Sequence, residues 1–241
     1  MFKRKIESEL NACFIGPRNK ILIVDGARQI GKSYIIRKLG KEHYIEINLR
    51  DDADGERCFE PAKVKTATQF YYALSSLRGD RLGNKDDTLV FLDGIQTYPH
   101  ILSLLKTLNL DARYTYIASG SLLGVTLKHT FIPMGAMSEI KMHQLDFEEF
   151  LWASGVGADI VDYLRDCYRK RIAPEENVHQ VMMGRFKEYL LCGGLPDAAK
   201  AFLIEKIIMA MRTVQEEIYS YCKDDCSAYD HEHKHKISRI Y

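Results

Sequence analysis

The segment Ile21–Ser33 constrains this chain more than any other. Four consecutive apolar residues, Ile21 to Val24, have the length and character of a short buried strand. Through Asp25 they run into Gly26-Ala27-Arg28-Gln29-Ile30-Gly31-Lys32-Ser33, which fits the spacing G-x-x-x-x-G-K-S/T. Tyr34 to Leu39 then reads as a helix. Strand, glycine loop and helix in that order separate a phosphate-binding loop from a chance glycine-rich turn. Gly26 and Gly31 can take backbone angles that other residues avoid, so the loop can wrap closely around a phosphate. Its N–H groups and the helix start point at negative charge. All eight residues, Gly26, Ala27, Arg28, Gln29, Ile30, Gly31, Lys32 and Ser33, form the candidate nucleotide-binding set. Lys32 can reach the β- and γ-phosphates, and the Ser33 hydroxyl can ligate Mg²⁺.

A second stretch, Thr88-Leu89-Val90-Phe91-Leu92-Asp93, is an apolar run ending in an acid. Asp93 is the candidate metal-supporting carboxylate, acting through water or through Ser33. A cap on the following turn is the plainer role for the same aspartate. Tyr114 to Ala118 is the next strand and ends in Ser119-Gly120-Ser121. A small polar residue at that tip can contact the terminal phosphate or the attacking water. Ser121 is the candidate sensor and Ser119 its fallback, against serines that merely line a turn. Ile140 to Leu145 is expected as a fifth strand, and Asp146 with Glu149 as a capping box for the next helix.

Around these, Phe2 to Cys13, Thr66 to Leu77 and His100 to Leu110 have helical spacing. His43 to Leu49 alternates apolar and polar, as an edge strand does. Strands alternating with helices predict an α/β fold, a parallel sheet flanked by helices with its ligand at the carboxyl ends of the strands. After Phe147 the pattern is helical, in the segments 147–153, 159–171, 178–191 and 204–226, broken at Gly193-Gly194-Leu195-Pro196. Two domains are expected: 1–145 carrying the sheet, and a helical subdomain over 146–241.

Bulk properties exclude some functions. Net charge is +1, so no global field draws the chain to nucleic acid or acidic membranes. No run is long enough to span a bilayer. The start, Met-Phe-Lys-Arg-Lys, leads into a mixed polar segment rather than an apolar leader. Six scattered cysteines then read as free thiols of a cytoplasmic protein. Cys222 and Cys226 stand at helical spacing without a second pair, and His231 and His235 in the tail lack the order of a zinc protease, so neither group is read as a metal site.

The motifs in combination resemble the prokaryotic AAA+-like P-loop ATPases in which an ATPase domain precedes a C-terminal domain of unknown function. The matching elements are the loop 26–33, Phe-Leu-Asp at 91–93 with Ile-Gln at 95–96, and Ser-Gly-Ser-Leu-Leu-Gly at 119–124. Leu-Asp-Phe-Glu-Glu-Phe-Leu at 145–151 and Gly-Gly-Leu-Pro at 193–196 match too. The resemblance implies a P-loop NTPase sheet that binds ATP and Mg²⁺. By position it gives Lys32 and Ser33 to phosphate and metal, Asp93 to the metal and Ser121 to sensing.

Two departures qualify the resemblance. Family members carry Glu after the Walker B aspartate, a base for the attacking water, and here position 94 is Gly. Loss of such a base costs about 10²–10⁴-fold in rate. The expectation is a nucleotide binder with weak hydrolysis, whose turnover Gly94→Glu raises. Glu46 and Gln96 are the substitutes considered. The resemblance also leads one to expect a longer chain, continuing into a winged-helix-like segment and a further domain.

Three classes of function follow: a working ATPase, a non-hydrolysing copy acting as an interaction module, and a nucleic-acid-binding ATP-dependent protein. The last rests only on dispersed cations such as Arg37 and Lys38, which solvated helix faces explain as well. A homo-oligomer and a protein or DNA partner stay open. None of Arg113, Arg165, Arg185 and Arg212 is singled out as an arginine finger.

Overall fold

The computed structural model describes residues 2–15, 20–39, 43–84, 87–121 and 137–229. The histidine-rich tail, 231–235, and part of the motif at 119–124 lie outside them. Strands β1 (Ile21–Asp25), β2 (His43–Asn48), β3 (Thr88–Asp93), β4 (Thr115–Gly120) and β5 (Met137–Lys141) form a sheet in the order β2-β3-β4-β1-β5. Every pairing is parallel. The fold is α/β, as the alternation of strand and helix patterns predicts.

The apolar runs follow from burial on both faces. Ile21 and Ile23 of β1, with Val90 and Leu92 of β3, belong to a core completed by helices α3 (Ala67–Arg78) and α4 (His100–Asp111) through Phe70, Leu74, Leu102 and Leu105. The alternate residues Leu22, Val24, Leu89 and Phe91 pack on the other face with Leu10 of α1 (Ile6–Ile15) and Ile35 and Ile36 of α2 (Lys32–Arg37). Each fully buried side chain of this size contributes about 1.5–3 kcal/mol, so the central strands are apolar except where a buried hydroxyl is hydrogen-bonded, as at Thr88 and Ser119. At the edge, β2 buries Ile45 and Ile47 while Tyr44 and Glu46 stay half-buried, which produces its alternation.

Element ends moved where tertiary contacts override local pattern. The fifth strand lies at Met137–Lys141 rather than Ile140–Leu145. It pairs with β1 from Ile21↔Met137 to Asp25↔Lys141, and Ser138, Glu139 and Lys141 on this outer strand conceal it from a search for apolar runs. Beyond it, the Leu145 N–H donates instead to the Gly194 carbonyl at 2.8 Å. The first helix begins at Ile6, not Phe2.

The reason lies in how the chain divides. One compact unit is Ile6–Met142; the other is Met1–Lys5 with His143–Tyr241. Arg4 is buried against Glu149, its Nε 3.1 Å from Oε2, and its Nη2 donates to the His143 carbonyl at 2.6 Å. The Lys5 N–H donates to Glu149 Oε1 at 2.6 Å. These bonds tie the first residues to the helical unit.

That unit contains α5 (Phe147–Ala153), α6 (Ala158–Lys170), α7 (Glu176–Cys192), α8 (Pro196–Lys200) and α9 (Ile208–Tyr229). Its core gathers Leu145, Phe150, Cys192, Ala198, Ala199 and Met211. Asp146 caps α5 in a capping box with Glu149, as the spacing predicts. The Tyr189 hydroxyl donates to the Leu145 carbonyl at 2.9 Å.

Candidate functional site

Strand register brings the chemistry to one edge. Asp25 lies opposite Gly120, Asp93 opposite Ser119, and Asn48 opposite Asp93, so the carboxyl ends of β1, β4, β3 and β2 stand in line. The loop 26–33 leaves β1 at this edge and feeds α2, whose first residues are Lys32 and Ser33. Gly26 is required by close approach: a Cβ there would meet the Met142 carbonyl oxygen at 2.3 Å and Ile30 Cδ1 at 2.7 Å. Gly31 (φ +92°) and Gln29 (φ +57°) both take left-handed backbone. For Gln29 that costs about 1 kcal/mol, carried by a loop anchored through fully buried Ile30.

Within the loop, Lys32 Nζ donates to the carbonyls of Gly26 and Ala27 at 2.9 and 2.6 Å. Burial pushes its ammonium down to about 8; Asp93 and Asp25 oppose that shift, and the positive charges of Arg50 and Arg28 reinforce it. Ser33 Oγ donates to Asp93 Oδ2 at 2.8 Å. Ser119 Oγ donates to the other carboxylate oxygen at 2.5 Å. A loop on β1, the tip of β3 and the tip of β4 are thus joined through one carboxylate. Ser119, the fallback in the sequence, touches Asp93; Ser121 does not.

Ser121 instead belongs to a second cluster. Its hydroxyl, in a buried residue, accepts from Arg50 Nη2 at 2.9 Å. The Gln96 amide lies against the same guanidinium, and because a guanidinium only donates, the amide oxygen is assigned to that side, where it accepts from Arg50 Nε at 3.0 Å and also from Nη2. Gly94 sits beneath the arginine in left-handed conformation, φ +81° and ψ +36°. A Cβ at 94 would lie 2.9 Å from Arg50 Cγ, 3.1 Å from Nε and 3.4 Å from Cδ.

Glu46, considered from the sequence as a substitute for an acid at position 94, is engaged elsewhere. Arg37 clamps both its carboxylate oxygens at 2.7 Å, and it pairs with Phe91, two residues short of Asp93. Lys38, just past the end of α2, likewise pairs with Glu7 at 3.2 Å, so these adjacent cations face carboxylates of the chain itself. Among the described residues no three His, Cys, Asp or Glu side chains are grouped as a metal site built from them would need.

A family model described as an AAA domain matches residues 18–151. The chain belongs to the AAA domain family. Members of that family are P-loop proteins that bind nucleotide, and the matched segment holds the loop, Asp93, both serines and the start of α5. Among solved structures, the Walker-type ATPase paby2304 of Pyrococcus abyssi is similar over 99% of this chain and 77% of its own, at 16% identity and a TM-score of 0.53. At that identity the likeness concerns the fold. No curated protein matches the sequence. In this AAA domain, Arg50 was missed by sequence reasoning. The only signal for it was indirect: a glycine where an acid is expected leaves room, and the adjacent strand ends two residues before an arginine.

Proposed function

We propose that the chain binds ATP with Mg²⁺ at the loop 26–33 and hydrolyses it weakly. The observation that carries this reading is the Ser33–Asp93 hydrogen bond of 2.8 Å, made beside a lysine folded onto its own loop. A hydroxyl and a carboxylate held together are hard oxygen donors of the kind Mg²⁺ takes, so the residues present fit that ion, and Ser33 and Asp93 would hold it. Bound with the phosphates, Mg²⁺ would neutralise charge on the β- and γ-oxygens. Lys32, released from the Gly26 and Ala27 carbonyls, would turn to the phosphates, while those loop N–H groups cradle them. Ser119 holds the Asp93 carboxylate in place from the side away from Ser33.

Weak hydrolysis follows from position 94. No carboxylate is held beside the site there, and Glu46 is engaged with Arg37 elsewhere on β2. A general base normally contributes about 10²–10⁴-fold. The same observation supports a non-hydrolysing copy working as an interaction module, in which bound nucleotide holds one conformation. Nucleic-acid binding stays the weaker alternative; Arg37 and Lys38, two of the dispersed cations named for it, each pair with a carboxylate of the chain.

The test is binding and phosphate release on one purified sample, with Lys32→Ala as the control. Binding that depends on Lys32, with release about 10² times or more below that of an ATPase with its base, supports the proposal. Absence of binding in the parent chain overturns it.

A further inference from the structure

Arg50 lies where the missing acid would have extended. Its side-chain stem passes over Gly94 so closely that a Cβ could not be added without displacing it. Its guanidinium is held by Ser121 and Gln96, residues from the tip of β4 and from the turn after β3. Its backbone is placed with similar care. The Leu49 N–H donates to the Asp93 carbonyl at 2.9 Å, and the Arg50 N–H to Asn48 Oδ1 at 3.1 Å. An arginine on an exposed turn ordinarily samples many rotamers; this one is fixed from three sides beside the proposed phosphate loop.

The chemistry of that exchange is directional. A carboxylate at this place would take a proton from water, and a guanidinium cannot, because it stays charged at any working pH. What it offers is a planar fork of donors that matches phosphate oxygens. Arg50 is exposed, so a ligand can reach it, while Ser121 beneath it is buried. Its positive charge is felt at Lys32, alongside the opposing charges of Asp93 and Asp25, so Arg50 lies within electrostatic reach of the loop.

We propose that Arg50 is a specificity residue of this chain that contacts the terminal phosphate of a nucleoside triphosphate, with Ser121 and Gln96 positioning its guanidinium and Gly94 making room for it. The proposal rests on the nucleotide reading above. On that assignment the guanidinium adds a contact to the terminal phosphate that a diphosphate lacks. The chain therefore discriminates between the two states of its nucleotide with a residue of its own, in the place where the resemblance leads one to expect an acid. Ser121 acts through Arg50 rather than as a direct sensor.

The experiment is equilibrium titration of the full chain with Mg²⁺–ADP and with a non-hydrolysable Mg²⁺–ATP analogue, for the parent, Arg50→Ala, Arg50→Lys and Lys32→Ala. Arg50→Ala is expected to weaken the triphosphate analogue about tenfold or more and to leave ADP within about twofold. Arg50→Lys should recover part of the loss, since it keeps the charge but not the fork. Retained ADP affinity also shows that the variant is folded. Equal loss of both ligands, or no change in their ratio, overturns the role of Arg50. If the parent binds both ligands and Lys32→Ala loses both while Arg50→Ala keeps the ratio, only this inference fails. If the parent binds neither, the nucleotide reading fails and takes this inference with it.

Discussion

On the loop side of the strand edge, Lys32, Ser33 and Asp93 form a connected set in which every polar group faces a complementary one. On the β2 side, Gly94, Arg50, Gln96 and Ser121 form an equally connected set with the opposite charge from the one the resemblance leads one to expect. Both sets hang on the same parallel register, and Asp93 and Gly94 are adjacent in the chain. On the proposed reading, the difference teaches that holding a nucleotide and activating water fall to separable side chains. One can be exchanged while the backbone that presents the other stays intact.

The largest effect belongs to the residue both halves depend on. Asp93→Ala removes the acceptor of Ser33 and of Ser119 together. Magnesium-dependent ATP binding should weaken about 100-fold, on the scale of losing one or two charged hydrogen bonds, and titration with and without Mg²⁺ measures it. If affinity is unchanged, the loop side is not the binding half and the comparison collapses.

The second prediction adds back the base. Gly94→Glu alone puts a carboxylate under the Arg50 guanidinium, where an ion pair would hold it ionised but occupied and a poor proton acceptor. Turnover should stay near that of the parent, which replaces the simpler expectation from sequence. Combined with Arg50→Ala, the same glutamate is unpaired and has room, and turnover at saturating ATP should rise about 10²-fold. A phosphate-release assay on both variants decides. A gain in the single variant would mean that Arg50 does not control that space.

The third effect is on stability. Gly94 holds left-handed backbone, so Gly94→Glu should also cost about 1–2 kcal/mol, read as a lowered thermal midpoint. Gly94→Asn, better tolerated in that conformation, should cost less.

How much of this was legible follows from where the information sits. The loop 26–33 and the apolar run ending in Asp93 are local patterns imposed by burial and by phosphate geometry, and they fix the fold class and the line of strand ends. Arg50 is not local: it reads as one cation after an edge strand until the sheet places it over Gly94. The fifth strand was shifted because its outward residues are polar, and the first helix was overextended because Arg4 and Lys5 are claimed by Glu149, some 140 residues away. Sequence periodicity cannot report a partner at that distance.

The smallest effect is a control at the other end of the molecule. Asp146 caps α5, accepting from the Glu149 N–H at 2.9 Å, and its carboxylate also meets Lys5 Nζ at 2.6 Å. Burial pushes that carboxyl up, but Lys5 and the cap N–H outweigh it and hold it below the ordinary value. A carboxyl depressed in the folded state adds stability above its unfolded pKa, and that contribution is lost as pH falls below about 4. Asp146→Ala should therefore cost about 1 kcal/mol at neutral pH, and less as the solution is acidified, in thermal melts across pH 3–7. Every group named in both halves of the proposed site belongs to Ile6–Met142. ATP affinity and the triphosphate-to-diphosphate ratio should then be untouched by Asp146→Ala. A variant that loses stability without changing either quantity separates damage to the fold from damage to the site, the distinction on which the Asp93 and Gly94 results depend.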